Sequence, residues 1–230
     1  MVRHQFTGSS GFDSHPEIFY VTFIKNFEGG RCLSGERNAL TGGIRMLKKR
    51  ELQDCNVLYE LMTHPDVFPY VRQKAASYDE FLFITKQTIE AEERGELISR
   101  TILDEWGAPI GTISLYDIEN QSGFLGTWLG KPFHGKGYNR LAKDSFFQEL
   151  FYELGIETVY MRIRKVNIRS KKAAEKLPFV IQVNESRKTL YNQLNANETV
   201  YDLYEIPKDL YTFYLLRNGL QQSNSHLLEA

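Results

Sequence analysis

The sequence predicts a mixed α/β (α+β) fold, a mostly antiparallel sheet that carries one parallel strand pair and is covered by helices. Three observations lead there. The alternating runs Leu97 to Leu103, Ile110 to Tyr116 and Phe124 to Leu129 are separated by short turn-forming stretches, as consecutive antiparallel strands are. The third run feeds a glycine-punctuated turn, His134-Gly135-Lys136-Gly137-Tyr138-Asn139, that opens a long amphipathic helix with Phe147, Leu150, Phe151 and Leu154 at i, i+3, i+4 and i+7. After that helix Val159, Met161 and Ile163 alternate with polar residues, and a right-handed crossover makes this strand parallel to the one before the turn.

Composition bounds the rest. A chain of 230 residues with 42% apolar content has enough material for a real core and suggests one domain with an appendage. The formal charge of -1 gives no reason to expect nucleic acid or an anionic membrane as a main partner. Cys32 and Cys55 stand far apart without CxxC or paired histidine spacing, so neither a disulfide framework nor a zinc site is indicated. The early apolar run Ile18 to Ile24 is too short to span a bilayer and lacks the basic flank of a signal peptide, which leaves a soluble, cytoplasmic protein as the expectation.

Taken in order, residues 1–43 hold a disproportionate share of the 17 glycines and read as an N-terminal extension, with an edge strand over the IFYVTFI stretch as the alternative. Met46 could then be the natural start. A short strand is expected over Ile44 to Leu47, then a helix over Glu51 to Thr63 whose Leu58, Leu61 and Met62 share a face, closed by Pro65. Asp66 to Val71 reads as a turn of helix crossing the core. Ser77-Tyr78-Asp79-Glu80 has the spacing of a capping box and starts a helix that Gly95 ends after Arg94. The hairpin turns are Asp104 to Pro109 and Asp117 to Gly123, and Gly155 stops the central helix. Asn167-Ile168-Arg169-Ser170 opens a helix ending near Leu177. Phe179 to Val183 and Thr199 to Glu205 suit two closing strands with a helix over Glu185 to Leu194 between them. A last helix over Pro207 to Arg217, stopped by Gly219, closes a domain of residues 44–217 and leaves 218–230 as a tail.

The glycine turn carries the chemistry. Two glycines one residue apart let successive N–H groups point together at the positive end of the following helix, and such an end binds phosphate. A tight turn that binds nothing is the plain alternative for so short a signal. A nucleotide phosphatase is excluded, because no GxxxxGK[ST] pattern supplies a lysine and a hydroxyl for Mg²⁺.

Three fragments stand together in order: Trp128-Leu129-Gly130, the loop Phe133-His134-Gly135-Lys136-Gly137-Tyr138, and Asn167-Ile168-Arg169-Ser170 followed by Glu175-Lys176-Leu177-Pro178-Phe179. By these residues the chain from Ile44 to about Phe179 resembles a GNAT-type acetyltransferase, in the branch that includes the ribosomal-protein N-terminal acetyltransferases. The resemblance implies helices on both faces of the sheet and a splayed parallel strand pair. It implies that the amides of His134, Gly135, Lys136, Gly137, Tyr138 and Asn139 hold the pyrophosphate of acetyl-CoA. It further implies that main-chain groups near Trp128 and Leu129 take the pantetheine arm as a pseudo-strand, and that Asn167 bonds a pantetheine amide. Lys171 and Lys172 could meet CoA phosphates, with solvated surface lysines the alternative. No metal is implied.

The reaction implied is direct attack by a neutral amine on the acetyl thioester, with the amide near Leu129 polarising the carbonyl. Many relatives place a tyrosine acid where this chain has Ala174, so Ser170 is the local hydroxyl left to contact the sulfur, unless it merely caps its helix. A carboxylate often found before the loop corresponds to Phe124, and Pro178 replaces a usual glycine. Without an evident base, an α-amino group of pKa ~8 is easier to acetylate than a lysine of pKa ~10.4. Asp117 and Glu119 acting through water, and His134 on the phosphate side, are the remaining candidates near the site. Acceptor specificity is expected from Tyr70, Tyr116 and Tyr204 together with Phe68 and Tyr201, with core packing as the alternative for some of these aromatics. The partners implied are acetyl-CoA and an amine acceptor, whether protein N-terminus, polyamine or small amine, and a homodimer is allowed. The alternative function is an acyl-CoA-binding protein of the same fold with little or no turnover.

Overall fold

The computed structural model describes residues 46–228, with side chains described as far as residue 218. The expectations for residues 1–43, including the IFYVTFI strand and Cys32, lie outside the described residues, as does the start of the strand expected at Ile44. The chain divides into two units, of which one is Leu40–Tyr214. Of the other, Met1–Ala39 with Leu215–Ala230, the described part is helical from residue 215 to Leu228.

The sheet has seven strands: β1 Leu47–Lys49, β2 Ile98–Leu103, β3 Pro109–Glu119, β4 Ser122–Leu129, β5 Thr158–Arg164, β6 Ile181–Gln182 and β7 Tyr201–Pro207, ordered β1-β2-β3-β4-β5-β7-β6. Every neighbouring pair is antiparallel except β4 and β5. The expected mixed, mostly antiparallel sheet with one parallel pair is therefore present. The helices are α1 Cys55–Met62, α2 Tyr78–Glu93, α3 Tyr138–Gln148, α4 Ile168–Glu175, α5 Lys188–Leu194 and α6 Lys208–Leu228. No helix among the described residues is long and apolar enough to cross a membrane.

Period-two alternation builds β5, where Val159, Met161 and Ile163 are buried. The α1 and α2 side of the sheet closes over Cys55, Leu58, Met62, Val67, Val71 and Phe81, with Trp128 of β4 packed against them. A second core joins Phe147 of α3 and Phe151 just beyond it to Phe179 and to Tyr211 of α6, in edge and tilted ring contacts 5.1–6.4 Å apart. Each such side chain, fully buried, contributes about 1.5–3 kcal/mol. Arg100 on β2 ties both helix layers to the sheet, its guanidinium bonding Glu92 of α2 and, at 2.8 Å, Glu149 beyond α3.

Four local expectations are corrected. The central helix does not run regularly to Leu154, because Glu149–Glu153 forms a π turn. The wider turn takes the next side chain off the buried face, and Leu154 is 44% exposed. The turn expected over Asp117 to Gly123 contracts to Asn120-Gln121, both at positive φ, with β3 running to Glu119 and Asp117 (φ +53) at a break in the ladder. Ser77 caps α2 by accepting from the Glu80 N–H, but the Glu80 carboxylate accepts from Ala76 and not from Ser77 itself. Finally, α6 continues through Gly219, since an interior glycine costs a helix only about 1 kcal/mol and does not by itself end it.

Candidate active site

The loop after β4 is built by its own sequence. Pro132 opens a single 3-10 turn, Lys131–Phe133, and His134 returns the chain to extended geometry. Gly135 (φ +77) and Gly137 (φ +87) then take left-handed conformations that cost other residues about 1–2 kcal/mol each. Gly137 is the N-cap of α3, and no side chain caps that helix. The N–H groups of Phe133 and His134 are used by the carbonyls of Gly130 and Lys131, and those of Arg140 and Leu141 by Gly137. Between them the N–H groups of Gly135, Lys136, Gly137, Tyr138 and Asn139 meet no acceptor among the described residues. Five consecutive donors at a helix start form a receptor for anionic oxygen.

His134 differs from the other loop residues, since its own amide is occupied. Its ring Nε2 donates to the Leu129 carbonyl at 2.9 Å, which ties the loop to the end of β4. The Tyr138 hydroxyl donates to Glu105 in the β2–β3 turn, a bond that pushes the phenol up to about 12 and Glu105 below the usual carboxylate range. With Phe133 set edge-on to Tyr138 at 5.9 Å, the side chains hold the loop while its main chain stays open. Lys136 and Asn139 are exposed.

Beside the loop, β4 and β5 pair only over Ser122, Gly123 and Phe124 against Thr158, Val159 and Tyr160. Beyond Phe124 they part. β4 stays in register with β3 as far as Leu129, and the Gly130 N–H still bonds the Ile110 carbonyl. By the alternation of an antiparallel ladder the main-chain groups of Thr127 and the Leu129 N–H then face the gap. β5 is paired to β7 along its whole length, so the even-numbered Arg162 and Arg164 turn their main-chain groups toward the same gap.

Asn167 caps α4, its side-chain oxygen accepting from the Ser170 N–H at 3.1 Å. Its NH₂ has no partner among the described residues. Ser170 is half-buried with no hydrogen bond to its hydroxyl. Lys172 is exposed, whereas Lys171 is held 2.6 Å from the buried Asp202.

On the α1 and α2 side of the sheet a cleft lies over β3 and β4, lined by Arg50, Tyr70, Arg72, Thr85, Tyr116 and Trp128 among others. It brings Tyr70 and Tyr116 together. Tyr204 is not brought there, because it is 1% exposed with its hydroxyl 3.4 Å from Glu175 of α4. It pairs in register with Met161, a core position on β5, so alternation turns it away from the cleft. Three arginines that sequence reading passed over stand at or near this cleft. The Arg50 Nε is sealed from solvent without a partner, its Nη2 reaches Thr85 at 3.2 Å, and burial pushes the guanidinium below the usual arginine range. Arg72 lies 4.2 Å from the Tyr116 ring centre and 2.7 Å from Asp117. Arg162 lies 5.8 Å from the Phe124 ring, with burial, and then the charge of Arg72, lowering its pKa. Lys48-Lys49-Arg50 reads as an ordinary solvated basic run, so no local signal marks Arg50.

A family model described as "Acetyltransferase (GNAT) domain" matches residues 45–180. Among solved structures, the chain is similar to FdhC, a nucleotide-linked sugar GNAT, at TM-score 0.60 and 19% identity, covering 77% of this chain and 92% of that one. It is similar to the ribosomal-protein-S5-alanine acetyltransferase from Vibrio fischeri at TM-score 0.57 and 16% identity, covering 71% and 92%. It is also similar to a mutant spermidine N-acetyltransferase from Vibrio cholerae at TM-score 0.54 and 17% identity, covering 72% and 96%. At these identities the likeness is one of fold. No curated protein sequence matches the chain.

Proposed function

Because the chain belongs to the GNAT acetyltransferase domain family, we propose that it is an N-acetyltransferase that moves the acetyl group of acetyl-CoA onto a primary amine by direct attack. The observation that carries this reading is the run of five unclaimed amides, Gly135 to Asn139, beside strands that separate after Phe124. Acetyl-CoA, when bound, supplies an activated acetyl thioester. The five amides and the start of α3 would hold its pyrophosphate, and Lys172, exposed on α4, is the lysine offered to its outer phosphates. Thr127 and Leu129 offer main-chain groups to the pantetheine amides, as a sheet edge does to an added strand. The Asn167 NH₂ bonds the same arm, and the Leu129 N–H polarises the thioester carbonyl. Ser170 would offer its hydroxyl proton to the departing thiolate, so that CoA leaves as the thiol, while the attacking nitrogen gives up its surplus proton to water.

Amine deprotonation has no dedicated carboxylate at the Phe124 position. Asp117 is paired with Arg72, and His134 is committed to Leu129. The acceptor therefore arrives with its own fraction of neutral amine, which favours an amine of low pKa. The test is thiol release from acetyl-CoA with an amine panel as a function of pH. The rate is expected to rise through each amine's own pKa. One inflection near pH 6–7 common to all amines would show a base in the protein and overturn the base-free mechanism. A second reading, an acyl-CoA-binding protein with little turnover, is favoured by Phe124 and Ala174 standing where relatives carry acid–base groups. Acetyl-CoA binding without thiol release across the whole panel decides for it.

A further inference from the structure

The acceptor cleft is lined by two arginines, Arg50 and Arg72, and by no aspartate or glutamate. Several other basic side chains of the sheet and its flanking segments are matched by acids. Lys48, Arg100, Lys171 and Arg187 each have a carboxylate at 2.9 Å or less. Arg50 has none. The acids whose charge it feels, Asp54 and Glu92, are already engaged, Asp54 by Lys48 and Thr101, and Glu92 by Arg100. A guanidinium presents five donors, and among the described residues only the contact with Thr85 is made while Nε is shut off from water. Arg50 is half-buried with that one nitrogen sealed, and a donor in that condition is costly to leave without an acceptor.

The position of the cleft says where such a partner lies. Gly126, Thr127 and Trp128 of β4 line it too, and this is the stretch of β4 from which β5 has parted. An amine entering to meet a thioester in the gap would have its remaining atoms in the cleft. Arg162, half-buried over Phe124 and close enough to Arg72 for mutual repulsion, adds positive charge on that side. Asp117 pairs with Arg72 and is felt by Arg162, but it is itself outside the lining.

We propose that the acceptor of this enzyme carries an anionic oxygen group, a carboxylate or a phosphate, a few bonds from the amine, and that Arg50 with Arg72 binds it. The planar fork of arginine matches both groups. The proposal names the substrate class of the site described above and rests on that reading. It also sets this chain apart from a polyamine acetyltransferase, since a polycation would need carboxylates where this cleft offers guanidinium groups.

The test uses the full chain and matched amines differing only in the anion: β-alanine against 3-aminopropanamide, O-phosphoethanolamine against ethanolamine, and the tripeptide Asp-Ala-Ala against Asn-Ala-Ala, with spermidine as the cationic arm. Equilibrium binding is measured in the presence of CoA, and thiol release in the presence of acetyl-CoA. At least one anionic member is expected to bind, or to react by kcat/KM, tenfold or more better than its neutral twin, and the pair that shows it tells a carboxylate from a phosphate and a small amine from a peptide. Arg50→Gln is expected to abolish that preference and Arg50→Lys to restore part of it. Arg72→Gln removes a partly exposed pair that contributes little to stability, so it keeps the fold even if Arg50→Gln does not, and it is expected to reduce the preference at least threefold. Equal treatment within all three pairs, no binding by any anionic member, or preference for spermidine overturns the proposal. Anion-selective binding without thiol release leaves it standing and counts against the transferase reading alone.

Discussion

Single residues decide whether the loop can present its amides. Gly137 holds φ +87 with open space around the site of a Cβ, so Gly137→Ala meets no clash and only the backbone strain. That strain is about 1–2 kcal/mol, and relieving it turns the amides away, so KM for acetyl-CoA is expected to rise about tenfold in thiol-release kinetics while the melting temperature moves little. Asp202 makes a pH-dependent contribution. Burial alone would push its carboxyl up, but hydrogen bonds from Lys171 and Asn184 outweigh that and hold it below 3.8. A depressed folded pKa gives stability that is fully present above the unfolded value and is lost as pH falls through the folded one. Asp202→Asn is therefore expected to cost about 1–3 kcal/mol in urea unfolding at pH 7 and progressively less below pH 3.8. At this scale much was legible. Gly135, Gly137 and Asn167 announce themselves by residue type, because few other residues can take a left-handed turn or cap a helix. Arg50 does not, because whether a basic run is solvated or folded under a helix depends on what the rest of the chain lays over it. Tyr204 misleads for the same reason, as an aromatic on a closing strand faces either the cleft or the core, and only register chooses.

Elements place the walls of the cleft. The second helix, which supplies Thr85, depends on the Ser77 cap, whose oxygen takes the Glu80 N–H at 3.2 Å. Ser77→Ala is expected to destabilise the protein by about 1 kcal/mol, read as a fall in the urea midpoint. Since Arg50 is held through Thr85, acceptor KM should rise as well, with acetyl-CoA KM unchanged. Most elements were readable because turn chemistry and hydrophobic period agree over β2 to β5 and α2. The π turn was not, since a one-residue widening leaves the i, i+3, i+4 pattern of Phe147, Leu150 and Phe151 intact and shows only in the exposure of Leu154. The closing strand expected over Phe179 to Val183 shrinks to Ile181–Gln182 because Phe179 is drawn into the aromatic core against Tyr211 and Tyr214.

For the whole molecule, the family match at residues 45–180 begins where the patterned sequence does. We propose that residues 1–43 are an extension dispensable for catalysis. A chain starting at Ile44 is expected to keep kcat and both KM values within about twofold, and a larger loss of kcat would assign those residues a part in the site. Fold class was legible because a sheet of this order follows from consecutive hairpins and one crossover. The proposed anion preference was not legible, because it rests on charge balance across elements distant in sequence.

The gap between the fourth and fifth strands has a further consequence. Seven strands joined across their middle by three residue pairs amount to two half-sheets, each with an unzipped inner margin. An outer margin of that kind would recruit a strand from another molecule. This one is flanked on both sides by its own halves, held together at one end by the Ser122–Phe124 pairing, so whatever enters meets main-chain groups from two margins at once. The same breach that interrupts the sheet thus leaves it unfinished until something offers both halves the partners a missing strand would have supplied.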